Sequence, residues 1–145
     1  MRLLLLGCVS VLCISFFNVI SVNSDTYIGQ WIIEGGSIIE IYEKDHLFYG
    51  KIYKRAEKPI SNLNGLDNKN PDKNLRNRPL LGMVILDNLS FIEGELSGGT
   101  IYNADSGKKY TVKVWIDPDN IDLCFIRAYK GFLFKTFEAK RVKQH

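Results

Sequence analysis

Short apolar runs interrupted by turn-forming residues are the feature that most restricts how this chain can fold. From Tyr27 onward, β-branched and aromatic residues recur in runs separated by Gly, Asn and Asp, and no long stretch has a helical period. Runs of this kind at this spacing are typical of an all-β sandwich or barrel. The chain is therefore expected to be all-β.

Alternation within the runs favours a barrel over an open sheet. In residues 37–43, Ile39 and Ile41 share one face, while Glu40 and Tyr42 take the other. Neither face is fully polar, which suits a barrel wall whose inside is packed or lined for a ligand. We predict a small closed or nearly closed antiparallel barrel of about eight strands, with candidate strands at 27–34, 37–43, 46–54, 80–89, 90–96, 100–103, 109–116, 121–129 and 132–142.

Turn-forming pairs divide these runs. We expect a turn near Asp87 and Asn88 and a sharp turn or bulge at Gly98 and Gly99. Residues 104–108 form a predicted hairpin turn in which Gly107 takes a positive φ.

The N-terminus has the three zones of a secretory signal peptide. Met1 and Arg2 precede an apolar run at 3–17, which ends in small and polar residues. The run is shorter than the ~20 residues of a spanning helix. We expect a signal peptide at 1–24, a single β-barrel domain at 25–145, secretion across the inner membrane to the periplasm or the exterior, and no integral span after cleavage.

Charge and cysteine content narrow the class further. Without Arg2 the chain has 18 basic against 16 acidic residues, a net charge of +2, which is too balanced to indicate a nucleic-acid partner. Cys124 is the one cysteine beyond residue 24, so the domain is expected to have no internal disulfide and to depend on its core.

Catalytic motifs are scarce. The chain has two histidines, His46 and His145, which is too few for a His-based metal site or a Ser-His pair. Cys124 lies in an apolar run and is expected to be a buried structural thiol. We predict a protein that is not an enzyme and that has no metal and no cofactor.

A long polar segment at 54–78 carries the only cluster with chemical content. It has seven Lys or Arg against three acidic residues, and Asn70 is expected to cap a short helix that runs to about Leu75. Arg76 and Arg78 can together bind a carboxylate or phosphate through their two guanidinium groups. Alternatively, Asp67 pairs with one arginine, Asn70 caps the helix, and the loop is simply fixed over a barrel mouth. The candidate ligand-binding residues are Asp67, Asn70, Arg76, Arg78, Tyr49 and Tyr102.

Several short motifs, in order along the chain, resemble a known family. They are Gly29-Gln30-Trp31, Tyr49-Gly50-Lys51-Ile52, Asp67 with Lys69-Asn70-Pro71, Arg76 with Arg78-Pro79-Leu80 and Gly82, Gly98-Gly99 with Ile101-Tyr102-Asn103, Gly107-Lys108 with Tyr110, and Arg141-Val142. Together they resemble the bacterial envelope family called domain of unknown function 2147. The resemblance implies a secreted single-domain β protein without an established activity.

A looser resemblance is to lipocalins. There, a Gly-x-Trp on the first strand packs under an Arg from the last strand, and Trp31 and Arg141 stand at the matching ends of this chain. The resemblance implies a structural cation–π contact between these two residues that ties the first strand to the last.

Two main functional hypotheses remain open from the sequence, with an enzyme that uses Asp67 and the arginines as a less favoured third. In the first, the chain is a non-catalytic binding protein for a small, partly apolar or anionic ligand, with aromatic residues in the cavity and the 67–78 loop at its mouth. In the second, it is an envelope accessory protein with a filled barrel, whose basic loop contacts an anionic surface or a protein partner. An internal void of roughly 300 Å³ or more supports the first, and a solid core supports the second.

Overall fold

The structure, a computed structural model, describes residues 21–58 and 64–143 as a closed antiparallel barrel. Each strand pairs with its neighbours in chain order, and the last strand pairs with the first. The strands are β1 (Gly29–Ile33), β2 (Ile38–Lys44), β3 (Leu47–Lys54), β4 (Val84–Ile92), β5 (Glu95–Asn103), β6 (Lys108–Asp117), β7 (Asn120–Lys130) and β8 (Leu133–Arg141). The predicted fold class is confirmed, with eight strands.

Two predictions fall partly or wholly on residues that the structure does not describe. Residues 1–20 of the predicted signal peptide lie outside the described ranges, as does His145. Asn23, near the end of the predicted leader, caps a 3-10 turn at Ser24–Tyr27. Within the described ranges, no helix has the length and apolar character that a membrane crossing requires.

The up-and-down order of the strands gives the barrel two different ends. The β2–β3, β4–β5 and β6–β7 turns and the β1 start lie at what we name the closed end. Two of these turns have the positive φ that primed hairpin turns require: Asp45 and His46 have φ of 53° and 62°, and Glu93 and Gly94 have φ of 49° and 85°. The other four connections lie at the opposite end, which we name the open end.

A solid apolar core fills the closed half of the barrel. Tyr27 and Trp31 are fully buried there, and Ile39 and Ile41 point inward as the alternation predicted. The Tyr27 hydroxyl donates to the Gly94 carbonyl at 2.7 Å, and Trp31 Nε1 donates to the Tyr27 carbonyl at 2.9 Å. The buried Tyr27 hydroxyl and Trp31 Nε1 therefore each have a partner.

Closure of the barrel depends on the contact that the lipocalin resemblance implied. Trp31 pairs with Arg141 in the β1–β8 ladder, and the guanidinium carbon lies 4.2 Å from the centroid of the indole ring. The Arg141 Nη2 also donates to the Thr26 carbonyl at 2.5 Å, and its Nε to Asp122 Oδ1 at 3.1 Å. One side chain thus joins the N-terminal turn, the first strand and the last two strands.

The predicted turn at Asp87 and Asn88 is wrong. Strand β4 runs through both residues to Ile92, and Glu93 and Gly94 form the turn. Asn88 has a φ of 57°, a conformation that Asn tolerates better than most residues, so the polar pair produces an irregularity inside a strand. The predicted strand 90–96 is consequently divided between the end of β4 and the start of β5, and the predicted strand 100–103 is the end of β5.

The predicted bulge at Gly98 and Gly99 is confirmed. The β5–β6 register shifts between Leu96 and Gly99, and Gly98 has a φ of 82°. A Cβ on Gly99 would lie 2.2 Å from the Asp87 carbonyl oxygen, so β4 and β5 approach too closely here for any side chain.

The predicted helix in the long β3–β4 connection is a single 3-10 turn at Lys73–Leu75. Its cap is Asp72, whose carboxylate accepts from the Asn74 N–H at 2.9 Å, and the prediction that Asn70 is the cap is wrong. Asn70 instead accepts from the Asp72 N–H and turns its amide nitrogen toward Asp67.

Candidate functional site

The open half of the barrel contains a cavity of about 860 Å³. Apolar side chains form most of its wall, and charged ones stand at its rim. The apolar lining includes Ile33, Ile39, Ile52, Leu80, Leu86, Ile101, Ile126, Ala128, Leu133 and Phe137, and the charged lining consists of Glu34, Arg55, Asp105, Lys130 and Lys135. Its volume lies within the 300–1,000 Å³ that is usual for small-molecule sites.

Alternation along β7 explains why side chains do not fill the barrel near its open end. Cys124 and Ile126 point inward and are buried, so Ala128, two residues further on, points inward as well. It pairs with the buried Val112 in the β6–β7 ladder. A small side chain at this inward position leaves space that a larger residue would fill.

Lys135 shares the inward face at the mouth of the cavity. It pairs with Ala128, just as Phe137 pairs with Ile126, and its ammonium lies 4.7 Å from the centroid of the Phe137 ring. In the described part of the chain, no carboxylate lies within ion-pair distance of Lys135. Its ammonium therefore lies at the cavity mouth without a direct ion pair to a described carboxylate.

Asp67 is the centre of a hydrogen-bond cluster, which we name the Asp67 cluster and which also contains Asn70, Arg78 and Tyr102. The carboxylate is fully buried. Its Oδ1 accepts from the Tyr102 hydroxyl at 2.6 Å, and its Oδ2 accepts from Asn70 Nδ2 and Arg78 Nη2, both at 2.7 Å. The Asp67 N–H also donates to the Arg78 carbonyl at 2.9 Å.

The environment of the Asp67 cluster keeps the carboxyl group ionised. Burial by itself would raise the pKa of Asp67, but the hydrogen bonds from Tyr102, Asn70 and Arg78 outweigh burial and lower it. Burial, followed by the hydrogen bond to Asp67 and its negative charge, raises the pKa of Tyr102 to about 12. Tyr102 is thus a fixed donor and Asp67 a fixed acceptor at neutral pH.

The Asp67 cluster fastens the β3–β4 connection to the outside of the barrel. Ile101 packs against the main core, so the next residue, Tyr102, points outward, where it packs with Leu80 and Met83. The connection also packs closely against the β5–β6 turn. A Cβ on Gly107 would lie 1.8 Å from the Lys69 carbonyl oxygen, so only glycine fits at this position. The structural alternative foreseen from the sequence, in which Asp67 pairs with an arginine and holds the loop, describes these contacts.

A second concave surface, which we name the outer groove, lies between this connection and the outer faces of β2 to β6. It has a volume of about 740 Å³. Four of the six candidate ligand-binding residues line it: Tyr49, Asn70, Arg78 and Tyr102. Asp67 lies buried behind the groove, and Arg76 is held by its own hydrogen bond from Nε to the Asn70 carbonyl at 2.9 Å.

Within the outer groove, Tyr49 and Arg78 both have partners inside the protein. Tyr49 stacks on Tyr42 with ring centroids 5.7 Å apart and donates its hydroxyl to Asn88 Oδ1 at 3.0 Å. The Nε of Arg78 is buried and has no hydrogen-bond partner, while Nη2 of the same side chain binds Asp67. Ile85 and Tyr102 line both the outer groove and the barrel cavity, so the two concave sites adjoin at these residues.

Sequence reasoning missed the residues that define the cavity, above all Ala128 and Lys135. A usable signal existed for Lys135, because it lies two residues from both Leu133 and Phe137 and so shares their face in a strand. No comparable signal identifies Ala128, because the space around it depends on how eight strands close.

Groups suited to acid–base, nucleophilic or metal chemistry are sparse in the part of the chain that the structure describes. Burial raises the pKa of the Cys124 thiol to about 12, which keeps it protonated and inert. Among described residues, no group of three or more His, Cys, Asp or Glu is placed to hold a metal ion.

Comparisons with known proteins agree with this architecture. A family model described as an uncharacterized protein conserved in bacteria, DUF2147, matches residues 29–141. A solved structure from the human pathogen Helicobacter pylori, of a protein described as belonging to the lipocalin family, superposes with a TM-score of 0.69 at 26% sequence identity. The match covers 81% of this chain and 83% of the other. No curated protein sequence matches the chain.

The matched family region begins at Gly29, two residues before Trp31, and ends at Arg141, so it spans the barrel from the first strand to the last. The chain therefore belongs to the DUF2147 family of uncharacterized bacterial proteins, and its barrel is lipocalin-like.

Proposed function

We propose that this protein is a non-catalytic carrier that holds a small amphiphile, with an apolar body and an anionic group, inside the open half of the barrel. The observation that carries the proposal is the cavity of about 860 Å³ with a mainly apolar wall. An apolar wall favours an apolar occupant because binding removes both surfaces from water.

The closed half supports the proposal by providing a floor. The core around Trp31 is fully buried and its polar atoms are paired, so the barrel is sealed at one end and accessible at the other. The similarity to a protein described as a lipocalin fits the same arrangement. The alternative of a filled barrel without a ligand is not favoured by a void of this size.

Lys135 supports an anionic group on the ligand. Its ammonium faces the mouth beside Phe137, and the described residues include no carboxylate in ion-pair contact with it. An acyl chain lying against Ile126 and Phe137 would place a terminal carboxylate near this ammonium. A charge-assisted hydrogen bond there is stronger than a neutral one.

The Asp67 cluster supports a role other than catalysis. All three donors around the carboxylate are satisfied, the group is buried, and its pKa is lowered. A carboxylate in this state neither accepts a proton near neutral pH nor reaches a substrate.

The first test is a titration with the apolar fluorophore N-phenylnaphthylamine. Ala128→Trp places an indole inside the cavity and is expected to weaken binding by about tenfold or more, the cost of lost apolar burial. Thr111→Trp adds the same ring at an exposed position on the neighbouring strand and is the matched control. Equal affinities of the two variants and the wild type would refute the barrel cavity as the binding site.

The second test separates the apolar body from the anionic group. Dodecanoate and dodecanol have equal chains, and each is measured by displacement of the fluorophore. Lys135→Gln is expected to weaken dodecanoate by about fivefold to tenfold and to leave dodecanol unchanged. Lys140→Gln, on the same strand near the closed end, is the control. A loss of both ligands in Lys135→Gln, or of neither, would contradict the assignment of Lys135.

A further inference from the structure

The β7–β8 hairpin ends in the most exposed apolar residues of the described chain. Phe132 is 92% exposed, and Leu133 and Phe134 are each 60% exposed. They are consecutive, and Leu133 and Phe134 also line the rim of the barrel cavity. Exposed apolar residues scattered singly need no explanation, but three together at one tip mark a contact surface.

Near its tip, over residues 123–137, this hairpin carries charge of one sign only. Arg127, Lys130 and Lys135 flank the tip, and no acidic residue occurs between Asp122 and Glu138. Arg127 lies against the outer aromatic rings, 4.4 Å from the Phe134 centroid, whereas Lys130 and Lys135 are exposed. An apolar tip with cations beside it complements the surface of a membrane that contains anionic lipid.

The charges at the two ends of the barrel also favour docking through the open end. The long β3–β4 connection at the open end brings seven Lys or Arg against three acidic residues between positions 54 and 78. The acidic residues at the cavity rim are Glu34 and Asp105. At the closed end, by contrast, acidic side chains outnumber basic ones: Glu43, Asp45, Glu93, Asp117 and Asp119 lie at or beside its turns, against Lys44 and, at the end of β8, Lys140 and Arg141. Such a distribution turns the open end toward an anionic surface and the closed end away from it.

We infer that residues 130–135 dock the open end of the barrel onto an anionic phospholipid bilayer, with Phe132 and Leu133 entering the interfacial layer. Aromatic rings favour this layer, and lysines beside them reach the lipid phosphates. The docked orientation places the cavity mouth against the membrane. The inference goes beyond the proposed carrier function and does not require it, because docking is measured without a cavity ligand.

The test is flotation of the purified protein with two kinds of vesicle, one of phosphatidylcholine alone and one of phosphatidylethanolamine and phosphatidylglycerol in equal parts. The wild type is expected to bind the anionic vesicles and to be released by high salt, since screening weakens the attraction of the lysines. All variants share the same N-terminus, so any contribution of residues 1–24 is equal among them.

Phe132→Ser is expected to weaken vesicle binding by about tenfold. At 92% exposure this side chain contributes little to the folded barrel. Ile92→Ser, beside a closed-end turn and 52% exposed, is the matched control and is expected to bind like the wild type. Lys130→Gln is expected to lower binding to anionic vesicles by about fivefold, and Lys140→Gln to leave it unchanged.

Three outcomes would overturn the inference. Wild-type protein that floats with neither vesicle has no membrane-docking surface. Equal binding by Phe132→Ser and the wild type assigns any docking to another surface. The third outcome is a wild-type protein that binds no vesicles but self-associates in size-exclusion chromatography. If Phe132→Ser abolishes this self-association, the tip is a contact between two copies of the chain. Ligand affinities measured as described for the carrier function distinguish each of these failures from a failure of that function.

Discussion

Replacement of Asp67 by Asn tests the most specific energetic consequence of the structure. The substitution keeps the size of the side chain but removes its charge and one of its two acceptor oxygens. Three donors converge on the carboxylate at 2.6 to 2.7 Å. An Asn side chain offers one acceptor and brings an NH₂ group that faces other donors.

The expected loss follows from these contacts. Hydrogen bonds to a charged group contribute about 1.5–3 kcal/mol each, and breaking a buried charge pair costs about 3–5 kcal/mol. The side chain of Arg78 is 40% exposed, so it can turn to water after the substitution. We therefore expect a loss near the lower limit, about 3 kcal/mol of the free energy of unfolding.

Urea denaturation followed by tryptophan fluorescence measures this loss. The matched control is Asp105→Asn on the neighbouring β5–β6 turn, an exposed site where we expect a change within about 0.5 kcal/mol. Asp67→Asn with a stability within that same range of the wild type would refute the view that the Asp67 cluster holds the β3–β4 connection in place.

The same pair of proteins has a predicted pH dependence. In the folded state the pKa of Asp67 lies below its usual value of 3.8, so the unfolded chain binds the proton first as pH falls. The contribution of Asp67 is fully present above about pH 4 and is lost as pH falls through the lowered folded pKa. The difference in stability between the wild type and Asp67→Asn should therefore narrow in acid, and a constant difference from neutral pH down to strongly acidic pH would contradict this.

Three further predictions concern the barrel itself. Trp31→Ala should lower the free energy of unfolding by about 3–5 kcal/mol, because it empties the closed end and removes the surface on which Arg141 lies; an unchanged urea midpoint would show that Trp31 is not core. Gly99→Ala should lower the thermal midpoint or prevent folding, because the new Cβ would lie 2.2 Å from the Asp87 carbonyl oxygen. Gly35→Ala should lower the thermal midpoint less, because no atom lies within 4 Å of a Cβ built at Gly35. Cys124 should resist a thiol reagent in native protein near neutral pH and react after unfolding in urea, because burial raises its pKa to about 12; rapid reaction of the folded protein would contradict its buried position.

Much of the fold could be predicted from sequence because it depends on local patterns. Alternation in the β2 region assigned Ile39 and Ile41 to the interior, and Gly107 marked a hairpin turn, with an observed φ of 68°. The contact between Trp31 and Arg141 followed from a resemblance, and the structure confirms it at 4.2 Å.

The errors arose where a local signal competed with a contact that is distant in sequence. The pair Asp87 and Asn88 is typical of a turn, yet Asp87 pairs with Thr100 across the sheet, and β4 continues past both residues. Asn70 read as a helix cap, yet its amide is used by the Asp67 carboxylate, and Asp72 takes the capping position. Propensity is a weak guide when tertiary contacts satisfy the same groups in another way.

The candidate site was only partly accessible from sequence. The residue types of the Asp67 cluster were recognisable, and the structure brings Asp67, Asn70, Arg78 and Tyr102 together. A cavity, however, is defined by what does not fill a space. The size of the side chain at Ala128 matters only because β6 and β8 place Val112 and Lys135 beside it.

A crystal structure of the protein with dodecanoate tests the central claim most directly. The carrier proposal predicts the acyl chain inside the barrel, against Ile126 and Phe137, with its carboxylate within hydrogen-bond distance of Lys135 Nζ. Dodecanoate in the outer groove beside Tyr49 and Arg78, or a barrel that stays free of ligand at saturating dodecanoate, would contradict it.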